Sequence, residues 1–140
     1  MKALLKIVAI AAFCGSAGAP AMADDDPSST ALSSQGDAEK GKRIFNRCKA
    51  CHNLTAAKRS RMGPNLDALF GRDAGSKEDY KYSKALAEAD FVWTEEKLNQ
   101  WLAAPKTFLP GNKMAFAGLR KEDDRKDLMA YLRTATLENE

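Results

Sequence analysis

From Gly36 onward the sequence reads as an all-α domain. Apolar residues recur at spacings of three and four, runs of alternating β-branched residues are missing, and helix start and stop signals punctuate the chain. Asp37 is the expected N-cap of the first helix, with Ala38, Gly41, Ile44, Phe45 and Cys48 on one face, so that helix should run directly into Cys48-Lys49-Ala50-Cys51-His52. Leu66, Leu69 and Phe70 suggest a short helix stopped at Gly71, and Ser83 should begin another brief one through Ala85 and Leu86. Thr94 followed by Glu95 and Glu96 starts a helix with acids at the positive end of its dipole. Leu98, Trp101 and Leu102 form its apolar stripe, and Pro105 ends it. The last helix opens on Glu122-Asp123-Asp124 and sets Leu128, Tyr131, Leu132 and Ala135 on one side. Segments 53–64 and 105–120 show no periodicity, and loops of that length in so small a domain are expected to wrap something.

Residues 1–23 have the marks of a cleaved export signal. Lys2 and Lys6 give a basic start, an apolar run spans Ile7 to Phe13, and Ala21-Met22-Ala23 supplies the small-x-small pattern before cleavage after Ala23. Gly15, Ser16 and Gly18 break the run short of the about 20 apolar residues that a membrane span needs, so a retained anchor is the lesser alternative. Residues 24–35 read as a flexible arm rich in acids and serine, 36–137 as one domain with one modest core, and 138–140 as a tail. Cys14 leaves with the leader, so the mature chain keeps only Cys48 and Cys51. A lone Cys-x-x-Cys closes too short a loop to be a useful staple, and its value must be chemical.

The full chain carries 22 basic and 19 acidic residues; without Lys2 and Lys6 it is nearly neutral. Distribution says more than the total. Between Lys40 and Arg61 every charged residue is basic, while acids gather at Asp24 to Asp26 and again from Glu122 to Asp127. Such a run is either a solvated face or an electrostatic docking surface for an acidic partner.

Cys48-Lys49-Ala50-Cys51-His52 holds the only histidine of the chain. On a helical segment Cys48 and Cys51 project from one side about one turn apart, with His52 rotated by about 100°. That arrangement suits a flat group attached at two points, with an imidazole reaching over its centre. It is the attachment pattern of a c-type haem, in which two thiols add to vinyl groups and the histidine ligates iron. A zinc site would want a fourth ligand of cysteine or histidine type, and a thioredoxin-like dithiol would want a βαβ unit. With no second histidine, the sixth position on iron falls to a soft donor among Met62, Met114 and Met129. Met129 neighbours the stripe of the last helix and suits packing. Met62 follows His52 closely, on the proximal side of any reasonable wrap. Met114, in the turn-rich stretch Pro110-Gly111-Asn112-Lys113-Met114, gains nothing as core and is the favoured distal ligand.

These features are similar to those of class I c-type cytochromes, the group that includes mitochondrial cytochrome c and the soluble carriers of purple bacteria. The resemblance runs from Gly36 to Thr136. Besides the two motifs already quoted, it rests on Gly41-Lys42-Arg43-Ile44-Phe45, Gly63-Pro64-Asn65-Leu66, Leu69-Phe70-Gly71-Arg72, Trp93 and Asp127-Leu128-Met129-Ala130-Tyr131-Leu132. It implies four to five helices wrapped around one haem c, covalently bound through Cys48 and Cys51 and ligated by His52 and Met114. The Pro64 carbonyl would accept the His52 Nδ1 proton. Arg72, Tyr82 and Trp93 would bind an inner propionate, and Gly41 would let the first helix cross the last beside Tyr131. The chain departs from many relatives at Trp101, where tyrosine is common near the methionine sulfur, at Asn112, where threonine is common, and at Leu86, where asparagine is frequent.

The function that the resemblance implies is one-electron carriage in the periplasm rather than catalysis. Electrons would pass from a quinol-oxidising cytochrome complex to a terminal oxidase or a photosynthetic reaction centre. Docking of these membrane redox complexes would use Arg47, Lys49, Lys106 and Lys113 around an exposed haem edge beside Phe116. The expected state is a monomer with no nucleic-acid partner and no stable membrane insertion. Two other readings share the motif: a haem enzyme or gas sensor with Met114 off the iron, and an electron acceptor dedicated to one periplasmic dehydrogenase.

Overall fold

The computed structural model describes residues 36–137; the expected leader, arm and tail lie outside the described residues. Five helices follow in order: α1 (Ala38–Phe45), α2 (Lys84–Ala87), α3 (Glu95–Ala103), α4 (Pro105–Phe108) and α5 (Glu122–Ala135). The described residues form no strand beyond an isolated antiparallel bridge between Asp73 and Val92.

The frame is the crossing of the first and last helices. Gly41 makes it possible, because a Cβ there would lie 1.9 Å from the Asp127 carbonyl oxygen and 2.8 Å from the Tyr131 Cβ, and only a hydrogen fits. One turn on, the ring of Phe45 meets that of Tyr131 at 5.6 Å between centroids. The start of α1 is fixed twice over. Asp37 Oδ1 accepts from the Lys40 amide at 3.0 Å, and the Asp37 amide donates to Asp127 Oδ1 at 2.6 Å.

α3 begins as expected, with Thr94 Oγ1 accepting from the Lys97 amide. Its buried Leu98, Trp101 and Leu102 join Leu128, Met129 and Leu132 of α5, together with Leu69, Trp93 and Leu119, in one core. Arg133 of α5 grips Glu95 of α3 at the surface, with Nη2 to Oε2 at 2.8 Å. Trp93 sits edge-on to Trp101 and Phe91, giving that core an aromatic centre.

Three expectations need correction. α1 does not continue as regular helix into the Cys-x-x-Cys stretch: it ends at Phe45, and linked turns carry the chain through Cys51. Residues 66–70 form turns rather than a helix. Ala68 takes a φ of 45°, outside helical space, and its amide leaves the local ladder to donate to the Thr136 carbonyl. Segment 105–120 is not loop throughout: Pro105 does end α3, which stops at Ala103, but it also opens α4, since proline suits the first position of a helix, where its missing N–H costs nothing.

Candidate functional site

The turns after α1 place the two thiols. Cys48 N and Lys49 N both donate to the Phe45 carbonyl, and Cys51 N and His52 N both donate to the Cys48 carbonyl at 3.0 Å. Cys48, Cys51 and His52 are therefore held on consecutive hydrogen-bonded turns of helical sense. No disulfide joins the two cysteines. Burial pushes the Cys48 thiol above its ordinary value, partly opposed by the neighbouring Arg47 charge.

His52 is positioned from three sides. Its Nδ1 donates to the Pro64 carbonyl at 2.8 Å. This fixes the tautomer and leaves the Nε2 lone pair available to a Lewis acid. Gly63 lies flat against the ring, where a Cβ would stand 2.4 Å from His52 Cε1. The Gly63 amide returns to the Cys51 carbonyl at 2.9 Å, closing the loop beneath the imidazole. Burial lowers the His52 pKa despite the opposing pull of the Pro64 bond, which favours the neutral ring that a metal requires.

The loop between His52 and Pro64 is shaped by two residues to which the sequence reading gave no role. Asn65, buried to 2% exposure, donates from Nδ2 to the carbonyls of Thr55 and Lys58. Ser60 donates through both its amide and its hydroxyl to Asp79, at 2.7 and 2.9 Å. Tyr80 reinforces this link by donating to the Met62 carbonyl at 2.9 Å. On the other side the Lys113 ammonium lies 4.5 Å from the centroid of the Tyr80 ring and donates to the Lys81 carbonyl. Segment 79–81 thus ties the loop below His52 to the loop bearing Met114. Asn65 was legible in principle, lying within Gly63-Pro64-Asn65-Leu66, whereas the Ser60–Asp79 pair joins positions that no local pattern connects.

Arg72, Tyr82 and Trp93 are brought together. The Trp93 amide donates to the Arg72 carbonyl at 2.9 Å, and the Arg72 guanidinium opposes the rise that burial gives the Tyr82 hydroxyl. Arg72 donates to main-chain carbonyls, those of Asp67 and Asn65, rather than to a carboxylate. Its guanidinium pKa is lowered by burial, and the Tyr82 hydroxyl is raised by burial. A partly buried cation that spends its hydrogen bonds on neutral carbonyls, with the Asp67 and Asp79 carboxylates acting on it only through space, suits an anion supplied by a bound group.

The three candidate methionines separate by environment. Met62 is 73% exposed, Met129 belongs to the core, and Met114 is half-buried against the edge of that core, as Cys48 is. Arg47, Lys49, Lys106 and Lys113 are all exposed. Arg47 lies over the ring of Phe116, 5.4 Å from its centroid, joining the turn before Cys48 to the loop after Met114. Lys106 and Lys113 are both held, their ammoniums donating to the Asn112 and Lys81 carbonyls.

Two thiols one turn apart, an imidazole with one nitrogen committed, a glycine pressed on its ring and a partly buried arginine fit a covalently attached, anionic, iron-bearing group. The same donors do not assemble a metal cluster by themselves, and no set of three or more His, Cys, Asp or Glu able to hold an ion exists among the described residues.

Comparison with known proteins agrees. The model of the Cytochrome c family matches residues 38–136. Cytochrome c2 of Agrobacterium tumefaciens (strain II Chrys) is 44% identical over 101 residues, covering 70% of this chain and 91% of that protein. Cytochrome c of Chlamydomonas reinhardtii is 46% identical over 102 residues, with 72% and 91% covered. The solved structure of cytochrome cH from Methylobacterium extorquens aligns with a TM-score of 0.66 at 40% identity, covering 71% of this chain and 99% of that one.

Proposed function

The chain belongs to the cytochrome c family, and we propose that it is a periplasmic one-electron carrier whose haem iron is ligated by His52 and Met114. Membership brings one covalently bound haem c, with Cys48 and Cys51 as its points of attachment, and a role in electron transfer. The haem supplies the one-electron couple, and the polypeptide supplies its ligands, its anion partners and its docking surface.

The observation that carries the ligand assignment is the sorting of the methionines. Among the described residues only Met114 is half-buried at the edge of the core in a loop, with Met62 in solvent and Met129 packed inside. Thioether opposite imidazole favours the reduced iron and closes both axial positions, which suits carriage rather than substrate turnover. Pro64 would keep His52 oriented through the change of charge, and Arg72, Tyr82 and Trp93 would hold an inner propionate.

In this reading the leader is cleaved after Ala23, and the mature protein passes electrons from a quinol-oxidising cytochrome complex to a terminal oxidase or photosynthetic reaction centre. No helix among the described residues is long and apolar enough to cross a membrane. Arg47, Lys49, Lys106 and Lys113 would face the acidic surfaces of those partners, in the small, charge-steered contacts of transient redox pairs.

The test is the absorption spectrum of the haem-loaded protein beside its Met114→Ala variant. A low-spin oxidised wild type with a near-infrared sulfur-to-iron band, lost in the variant, is the expected result. A wild type without the band, or one whose reduced form binds carbon monoxide readily, would point to an open iron and an enzyme or sensor.

A further inference from the structure

The loop that presents Met114 is held by one buried side chain. Asn112 is 5% exposed. Its Nδ2 donates to the Pro105 and Leu109 carbonyls, each at 2.8 Å, and its Oδ1 accepts from the Met114 amide at 3.0 Å. Those contacts reach the first residue of α4, the residue that ends it and the candidate iron ligand.

We infer that Asn112 is a positioning residue for the iron ligand, a three-point clip that keeps the Met114 sulfur at the sixth position. This rests on the reading of Met114 as that ligand. The chemistry of the amide explains why asparagine stands here. The Pro105 carbonyl of α4 accepts from the Leu109 amide and the Leu109 carbonyl from the Asn112 amide, so Nδ2 adds a second donor to each, while Oδ1 anchors the amide of Met114. A primary amide offers two N–H donors and one oxygen acceptor on a rigid planar head, which matches two carbonyls and one N–H. Threonine has a single donor. Aspartate at neutral pH has none, and would set a second oxygen against two carbonyl oxygens. With the clip made, the main chain at Met114 is fixed relative to α4, whose Phe108 stacks on Trp93 and meets Trp101 edge-on. Lys106 adds a bond to the Asn112 carbonyl, so both the side chain and the main chain of this residue are held. Asn112 thereby connects the rigid aromatic core to the main chain of the ligand.

The clip therefore governs how often the sulfur leaves the iron, and so how well the carrier excludes other ligands. The experiment uses haem-loaded wild type, Asn112→Ala, Asn112→Asp and Asn112→Thr, with Met114→Ala as the open reference. Thr94→Ala, at the cap of α3, serves as a control for general destabilisation. Two quantities are read: the near-infrared sulfur-to-iron band of the oxidised form, and the rate at which the reduced form binds carbon monoxide. The alanine and aspartate variants should lose much of the band and bind carbon monoxide about tenfold faster or more, in proportion to the larger open population. Threonine should fall between them and wild type, and Thr94→Ala should leave both readouts unchanged. A wild type with the band, whose alanine and aspartate variants keep both band and rate within about twofold, would overturn the clip while leaving Met114 as ligand. A wild type that already matches Met114→Ala would overturn the ligand assignment, and the clip with it. Should the alanine variant fail to take up haem, the aspartate and threonine variants decide by the same two readouts.

Discussion

Single residues here act mainly by what they refuse to let in. Gly41 rests on the Asp127 carbonyl, and a backbone oxygen cannot step aside as the end of a flexible side chain can. Gly41→Ala should cost about 1–3 kcal/mol or more, the usual penalty for overfilling a packed contact, read as a fall in the denaturant midpoint of the haem-loaded protein. Asp79 shows the opposite case, a residue that holds by accepting. Its carboxyl lies below the ordinary value of 3.8, chiefly through the bonds from the Ser60 amide and hydroxyl. A depressed folded pKa gives stability that is present above the unfolded value and lost as pH falls through the folded one. The gap in unfolding midpoint between wild type and Asp79→Asn should therefore be steady above about pH 5 and close below about pH 4, as acid titration of the two proteins would record. Legibility differed sharply at this scale. The Cys48, Cys51 and His52 constellation stood in five consecutive letters, because local spacing alone dictates how those side chains project. The three contacts of Asn112 could not be read, because they depend on where α4 begins and ends.

Helix ends explain most of what was right and wrong about the elements. Thr94 and Ser83 were visible as caps because a small hydroxyl before a helical stretch has one common use, and both side chains accept the expected amide. The turns at 66–70 were misread because their apolar spacing is genuine while Ala68 adopts a left-handed φ that spacing does not encode. α5 is the element with an unfinished end. Lys121 occupies its N-cap with no side-chain bond to the helix, and places a cation beside the positive end of the dipole. Its φ of −73° and ψ of 127° suit a capping residue. Lys121→Ser should stabilise the domain by about 1 kcal/mol. In thermal unfolding that is a rise of roughly 4–8 °C for a domain of this size.

Over the whole molecule, charge is unevenly spread: the run from Lys40 to Arg61 that holds both thiols carries bases and no acids, whereas Glu122, Asp123 and Asp124 at the start of α5 lie among Arg120, Lys121, Arg125 and Lys126. Lys49 is the exposed base nearest in sequence to both thiols, and Lys49→Glu leaves the ligands and Asn112 untouched. Electron transfer to a membrane partner should slow several-fold in this variant at low salt. The difference should vanish toward about 1 M salt, where the screening length shrinks to about 3 Å, in stopped-flow oxidation of the reduced carrier. A rate indifferent to both changes would remove these bases from the docking surface. The all-α class was legible because composition and periodicity are averaged properties. The strap at 79–81 was not, since its partners lie in two separate loops and meet only in the finished fold.

The crossing of α1 and α5 also bears on how fast the domain can fold. Asp37 and Asp127 are 90 positions apart, yet each end of the chain supplies the surface on which the other rests. That contact carries the loop-closure cost of all the residues between, so the domain should fold more slowly than a helical domain of the same size built from local contacts.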